Sequence, residues 1–553
     1  MRNHVSAPAA WAATAALLGV AGPPLWPQPS STPRVRLEAP STVQRFGVAE
    51  FVVRIANPPF GNPFTDADLT GVFTSGSTVV RVSGFADSQD GSVFRLRFCP
   101  EIADATYRYR LRLTGASLDQ EFTGNLRCTR SRSPGPVVVA PRQPRHFTHA
   151  GSGKPFYHLG YTAYHLFDTS NADGQVDETI DYCARHGFNK IRFLLAGYPR
   201  DTDRRTSGDA EHGVPEGWNA PNYGSRPGQV NALPAWLGEP HSFDFRRFHV
   251  PYWRRVERGI RRMRDKGIVA TCIVTIEKQG LPDEYGDFTD AEKRLYRYAV
   301  ARLAAFDNVW WDLGNEHNEY RSADWANRMG ALVKESDPYD RLVSAHGYAD
   351  FQYASAPWAD FIITQQYGDE RAVHDWALKY ASSRKPYVNE EYGYEGDGDK
   401  PGHGQNGDWV RRCHWAIAMA GGYATYGDWS GGISYFYMGE PGPGKAAVQL
   451  KHLRSFFEAL PFGDLKPADD LVSRGFCLAS PPDAYVAYFP RGGECSLDLT
   501  GASGRLAAMW LDPRTGGRRK GPALRATRNR FAAPTGGDWA LVVTSRSGAP
   551  RVN

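Results

Sequence analysis

Two short stretches carry residue types that could do acid–base and nucleophilic chemistry together. Val309-Trp310-Trp311-Asp312-Leu313-Gly314-Asn315-Glu316-His317 is an apolar run that ends in Gly-Asn-Glu. Pro386-Tyr387-Val388-Asn389-Glu390-Glu391-Tyr392-Gly393 is a second apolar run, and it ends in adjacent carboxylates. Both read as strands, so each delivers its acids at a strand's C-terminal end. A carboxylic acid and a carboxylate on either side of a glycosidic oxygen are the groups that hydrolysis of a sugar–sugar bond requires. A lone Glu at a strand end often only favours the dipole of the next helix. Two such ends, one with Asn before its Glu, argue for chemistry.

The surrounding pattern supplies an architecture that could bring both acids to one opening. From about Gly151 to Pro461 apolar strands alternate with amphipathic helices, as in a parallel α/β fold. Strands begin at Phe156, Lys190, Val269, Val309, Leu342, Phe361, Tyr387 and Ala424. Helices are expected over Val176–Arg185, Pro251–Lys266, Asp290–Ala305, Trp325–Ser336, Val373–Ser383, Gly407–Ala420 and Gln449–Leu460. Only the stretch after the fifth strand lacks a convincing helix. This count fits a (β/α)8 TIM barrel over residues 149–464. The acid-bearing strands are then the fourth and seventh, roughly opposite each other at the mouth where barrel active sites lie. Tyr198–Phe245, polar and rich in Gly and Pro, is an insertion placed to shape the cleft.

Short alternating segments flank the barrel. Residues 34–130 read as an N-terminal β-sandwich, in which Tyr107–Leu113 alternates aromatic or aliphatic residues with Arg. A proline-rich linker, 131–148, follows, and strands return over 465–548 as a small C-terminal β-sandwich. Residues 1–33 combine Arg2, the apolar run Ala9–Ala21 and a Pro/Ser stretch, which reads as a signal peptide and disordered linker. A secreted or periplasmic protein is expected, and the run is too short to span a bilayer.

Composition is that of a globular chain, 41% hydrophobic and 23% charged. The net charge of +5 is spread along the chain at helix-surface spacing, which argues against a nucleic-acid partner. Of seven Cys, Cys99 with Cys128 and Cys477 with Cys495 are candidates for local disulfides, and Cys183, Cys272 and Cys413 leave an odd thiol. None has metal-ligand spacing, and no metal or cofactor is expected. Oligomeric state cannot be read from the sequence.

Asn315-Glu316 and Glu391 resemble the paired motifs of the clan A glycoside hydrolases, and Phe188-Asn189-Lys190-Ile191-Arg192 resembles that clan's second-strand segment. Within the clan the barrel is similar to the apiosidase-like family, through Phe156…Gly160-Tyr161-Thr162-Ala163-Tyr164 and Glu391-Tyr392-Gly393-Tyr394-Glu395-Gly396. The terminal region resembles the collagen-binding type of β domain that often follows such barrels, through Trp510-Leu511-Asp512-Pro513 and Gly537-Asp538-Trp539. The leading region resembles the β-sandwich found ahead of them, through Asn62-Pro63-Phe64 and Gly84-Phe85. The resemblance implies Glu316 as acid/base, Glu391 as nucleophile and Arg192 as the nucleophile's support. Glu391 is preferred to Glu390 because the clan's nucleophile precedes an aromatic residue and then Gly; strand alternation would turn Glu390 the other way. The chain departs from the clan at the sixth strand, with Gln365-Gln366-Tyr367 where many members have His-x-Tyr.

The expected reaction is a retaining hydrolysis by double displacement, with the two carboxyls roughly 5–5.5 Å apart. Arg192 and Tyr367 would hold the charge of Glu391, and that charge would raise the pKa of Glu316. Asn315 would bond the sugar 2-hydroxyl. His165, His346 and Trp429, which follow the first, fifth and eighth strands, are further candidates for binding substrate. Glu319 reads as a first-turn residue. The substrate class is a plant, algal or bacterial polysaccharide or oligosaccharide, and the family suggests a pentose or deoxy-sugar linkage. Two alternatives stay open: a non-catalytic polysaccharide- or matrix-binding protein, and a transglycosylase on the same barrel.

Overall fold

The computed structural model describes residues 33–169, 171–197, 233–238, 243–275, 287–347, 350–396, 405–428 and 444–545. The expected signal segment, most of the Tyr198–Phe245 insertion and Trp429 lie outside these residues.

The leading strands are β1 (Arg34–Glu38), β2 (Thr42–Gln44), β3 (Ala49–Ala56), β4 (Asp68–Ser75), β5 (Thr78–Ser83), β6 (Phe85–Ala86), β7 (Val93–Phe98), β8 (Ala105–Gly115) and β9 (Leu118–Thr129). They form two sheets, ordered β1-β3-β7-β6 and β2-β9-β8-β4-β5. The alternation along β8 buries Tyr107, Tyr109, Leu111 and Leu113 and exposes Arg108, Arg110 and Arg112. The buried face packs on Phe51, Phe73 and Leu96.

A small antiparallel sheet of β10 (Val137–Val139), β11 (Phe147–His149) and β12 (Pro155–Phe156) follows. It corrects one boundary. Phe156 pairs with Phe147 outside the barrel, and the first barrel strand is β13 (Gly160–Thr162). The side chain of Phe147 packs on Trp310, Phe361 and Tyr423, so this sheet plugs the end of the barrel.

The other barrel strands are β14 (Lys190–Leu194), β17 (Val269–Ile273), β18 (Val309–Asp312), β19 (Val343–Ser344), β20 (Ile362–Gln365), β21 (Tyr387–Glu391) and β23 (Tyr423–Asp428). With β13 they run parallel in the order β19-β18-β17-β14-β13-β23-β21-β20, a nearly closed eight-stranded barrel. Between β14 and β17 the pair β15 (Trp236–Leu237) and β16 (Asp244–Phe248) closes part of the insertion, and β22 (Tyr394–Glu395) extends beside β23. The eight barrel strands are buried along their whole length, as central parallel strands are, and buried charged residues among them, such as Arg192 and Glu391, belong to the site described below. Around them lie α1 (Asp173–Arg185), α2 (Val250–Asp265), α3 (Asp290–Leu303), α4 (Ala323–Ser336), α5 (Glu370–Lys379), α6 (Gly407–Met419) and α7 (Lys445–Glu458). Side-chain caps from Thr289, Ser322, Asp369 and Asn406 satisfy first-turn amides and set the starts of α3 to α6. Among the described residues no α-helix lies between β19 and β20.

At the C-terminus β24 (Lys466–Pro467), β25 (Phe476–Ser480), β26 (Ala484–Phe489), β27 (Glu494–Asp498), β28 (Ala507–Leu511), β29 (Arg518–Lys520), β30 (Arg528–Ala532) and β31 (Trp539–Thr544) form a six-stranded sheet and a two-stranded one. Both flanking regions are locked to the barrel by buried ion pairs. Arg97 of β7 and Arg302 of α3 share Glu257 of α2, and Arg302 also pairs with Asp87. Arg411 of α6 pairs with Asp538.

The expected disulfides are absent: all seven Cys are free and buried. Cys477 and Cys495 sit in different sheets, opposite Ala487 and Phe531. Cys128 of β9 pairs across to Ala105 of β8, while Cys99 sits at the end of β7 and accepts from Arg341 at 3.6 Å.

Candidate active site

The site is built where β18 and β21 end. After Asp312 the chain turns through Gly314, where a Cβ would come within 2.6 Å of the Tyr320 hydroxyl. Glu316 then adopts left-handed backbone angles, φ 50° and ψ 37°. That conformation costs a non-glycine residue about 1–2 kcal/mol, and such strain collects at functional positions. Glu316 is half-buried, and its Oε1 accepts a hydrogen bond from Gln365 Nε2 at 2.9 Å. Glu319 lies exposed in the short 3-10 turn that follows, away from this cluster.

The seventh strand holds a departure from simple alternation. Thr364 pairs with Asn389 but Gln365 pairs with Glu391, so Glu390 is the extra residue of a β-bulge. Glu390 and Glu391 consequently both reach Arg192, which corrects the expectation that Glu390 turns away. They sit at different depths. Glu390 bonds Lys190 and Thr425 within the barrel. Glu391 takes the Tyr164 hydroxyl on Oε1 and the Tyr367 hydroxyl on Oε2, the latter at 3.0 Å.

Arg192 on β14 joins these parts. Its Nη1 lies 3.5 Å from Glu391 Oε1, and its Nη2 donates to Asn315 Oδ1 at 2.8 Å and to His346 Nδ1. The guanidinium also packs over the Tyr164 ring. His346 in turn bonds Gln365 Oε1 through Nε2 at 2.8 Å. Asp312 Oδ1 holds the backbone N–H of His346 at 3.1 Å, which ties the fifth strand's end to the fourth's.

The electrostatics separate the carboxyls. Burial alone would raise Glu391, but His346 in its protonated form, Arg192 and the hydroxyls of Tyr164 and Tyr394 outweigh it and hold the group below its ordinary range. Burial likewise opposes the charge of Glu390, yet Lys190 and Arg192 bring it down to about 2. Burial pushes Asp312 up to about 7 against the pull of Arg192. Burial and the neighbouring Arg192 lower His346 to about 4, so its imidazole is neutral at neutral pH.

Glu316, Glu391, Asn315, Arg192, His346 and Tyr367 thus meet in one hydrogen-bonded cluster. His165 stands apart in the turn after β13, its Nδ1 3.5 Å from Asp168. Trp429 lies beyond the described residues. Sequence reasoning did not single out Tyr164, Gln365, Tyr394 or Lys190. Tyr164 and Tyr394 lie in the segments that carry the family resemblance, and Gln365 stands where the sixth strand departs from the clan. Among the described residues no group of three His, Cys, Asp or Glu side chains is placed to hold a metal ion, and no helix is long and apolar enough to cross a membrane.

Residues 142–442 match the family described as apiosidase-like, catalytic domain. Residues 42–114 match a domain of unknown function (DUF5060), and residues 477–544 match a region assigned as the collagen-binding domain of a collagenase. No curated protein sequence matches the chain. Among solved structures, a Bacteroides vulgatus protein assigned as a glycoside hydrolase superposes with a TM-score of 0.74 at 22% identity, covering 92% of this chain and 100% of that one. A Bacteroides fragilis protein assigned as an α-galactosidase/melibiase covers 92% of this chain and 97% of its own at 10% identity, with a TM-score of only 0.43. The first likeness establishes the fold; the second is too distant to bear on the argument.

Proposed function

Starting from the premise that this chain belongs to the apiosidase-like family, a glycosidase fold, we propose that it is a retaining glycoside hydrolase with Glu391 as nucleophile and Glu316 as acid/base. The observation that carries this reading is the convergence of Tyr164, Tyr367, His346 and Arg192 on Glu391. That carboxyl is buried yet held below its ordinary pKa, as a resident anion should be.

In the first step a Glu391 oxygen forms a bond to the anomeric carbon as the glycosidic C–O bond breaks, and the Glu316 proton passes to the departing oxygen. In the second step Glu316 takes a proton from water, whose oxygen displaces Glu391 from the anomeric carbon and restores both carboxyls. The described contacts of Asn315 use its Oδ1 on Arg192 and Tyr164, so its Nδ2 is the donor for the sugar 2-hydroxyl. The substrate class is a plant, algal or bacterial polysaccharide or oligosaccharide with a pentose or deoxy-sugar linkage, as the family name suggests. Residues 1–33 are read as an export signal that leads to a secreted or periplasmic protein. Residues 34–130, 149–464 and 465–548 are read as its three folded units.

The test is hydrolysis of an aryl-glycoside and polysaccharide panel by the wild type, Glu316→Gln and Glu391→Gln. Loss of activity in both folded variants supports the reading. Activity that survives Glu391→Gln overturns the nucleophile assignment. Polysaccharide binding without turnover by the wild type points to a binding protein, and transfer to a sugar acceptor in preference to water points to a transglycosylase.

A further inference from the structure

The clan's usual His at the end of the sixth strand is Gln365 here, and the structure shows what has taken over its surroundings. Arg192 can only donate hydrogen bonds, so His346 Nδ1 must accept from Nη2. A neutral His346 then carries its proton on Nε2 and donates to Gln365 Oε1 at 2.8 Å. That fixes the amide, because its Nε2 group is the only part left to face Glu316 Oε1 at 2.9 Å and the Tyr367 hydroxyl at 3.4 Å. The alternative amide orientation would set its oxygen against the Glu316 carboxyl and its N–H against the His346 N–H.

We propose that Gln365 is a positioning residue for the acid/base, held in one orientation by the Arg192–His346 pair, and that it confines the catalytic proton to Oε2 of Glu316. An amide N–H on Oε1 stabilises the carboxylate more than the acid. The arrangement does not itself titrate: an amide has no proton to lose, and burial with Arg192 keeps His346 neutral. The charged and titratable groups around it are Arg192 from β14, Asp312 from β18, Glu390 and Glu391 from β21, and the hydroxyls of Tyr164, Tyr320 and Tyr367. One guanidinium therefore orients the nucleophile directly and the acid/base through two intermediaries. This inference depends on the assignment of Glu316 as acid/base.

The test pairs Gln365→Leu and His346→Ala with the wild type on two aryl glycosides of the sugar it hydrolyses, one with a 2,4-dinitrophenyl and one with a 4-methoxyphenyl leaving group. Both variants are expected to raise the basic limb of kcat/KM by about one pH unit, the share of a charge-assisted hydrogen bond. They should slow the 4-methoxyphenyl substrate about tenfold or more and the dinitrophenyl substrate, which needs little proton donation, far less. The double variant should be no worse than Gln365→Leu alone, because both residues act along one chain. Equal losses on both leaving groups with an unmoved basic limb overturn the proposal and leave a packing role. Full turnover by Glu316→Gln would instead overturn the acid/base reading beneath it. A second readout needs no turnover. In a ¹⁵N-histidine spectrum of the intact protein, with His346 identified by its loss in His346→Ala, the ring should stay a neutral Nε2–H tautomer from about pH 8 to about pH 5. An Nδ1–H tautomer, or titration near the ordinary His value of about 6.5, overturns the proposal even if Gln365→Leu does not fold.

Discussion

Replacing Arg192 with leucine removes the guanidinium that touches both halves of the site. Its Nη1 is 3.5 Å from Glu391 and its Nη2 is 2.8 Å from Asn315, both in the buried interior. At such separations and an effective dielectric of about 20, a unit charge pair is worth about 4 kcal/mol. Some of that returns, because the phenols of Tyr164 and Tyr367 remain and His346 protonates more readily without the guanidinium. A net rise in the Glu391 pKa is therefore expected. The sign is fixed by the present state of the group. Glu391 is depressed on folding, so its charge stabilises the fold above its unfolded pKa and that contribution is lost as pH falls; without Arg192 the loss begins at higher pH. In a pH profile of kcat/KM the acid limb of Arg192→Leu should move to higher pH, with partial recovery of activity at alkaline pH. Arg192→Lys keeps the charge but not the fork that holds Asn315 and His346 together, so its acid limb should stay near the wild type while kcat falls. An unshifted acid limb in a folded Arg192→Leu would refute the claim that this guanidinium keeps the nucleophile ionised.

Three further expectations are open to measurement. Glu390→Gln leaves Lys190 charged and unpaired in the barrel, so thermal unfolding should show a loss of about 3–5 kcal/mol. Because Glu390 sits at about 2, the wild type's share of that stability should be full above the ordinary carboxylate range and be lost progressively as pH falls from there towards 2. Asp538→Ala removes one of the two carboxylates paired with buried Arg411, leaving Asp408, and should lower the melting temperature and open the C-terminal sheet to proteolysis, with kcat/KM per folded molecule unchanged. Finally, dithiothreitol should leave the melting temperature unmoved, and seven thiols should react in denaturant without reductant.

Much of the barrel could be read from the sequence because its physics is periodic. Each of the expected helices appears, displaced at its ends by a few residues, since an apolar stripe is plain while a cap such as Thr289 or Asn406 is one residue among many polar ones. The first strand was harder to place. Phe156 has strand chemistry, but it spends it on a plug pairing with Phe147, a contact that pattern alone cannot separate from the barrel's own. The Asn315-Glu316 and Glu391 ends were legible because their residue types are specific. The bulge at Glu390 was not, since it depends on register with Gln365 and leaves no local signature. Tyr164 and Gln365 were hidden for a similar reason: their roles arise from partners on other strands. The disulfides failed because Cys spacing in a β region says nothing about which sheet each residue joins.

The central claim is that Glu391 is the nucleophile, and covalent trapping tests it most directly. Incubation with a 2-deoxy-2-fluoro glycoside of the sugar that the enzyme hydrolyses, carrying a good leaving group, should add one glycosyl unit to the intact mass. Peptide mapping should place it on Glu391, and Glu391→Gln should acquire none. An adduct on Glu390 would contradict the assignment, and a first-formed product of inverted configuration without any adduct would contradict the double displacement itself.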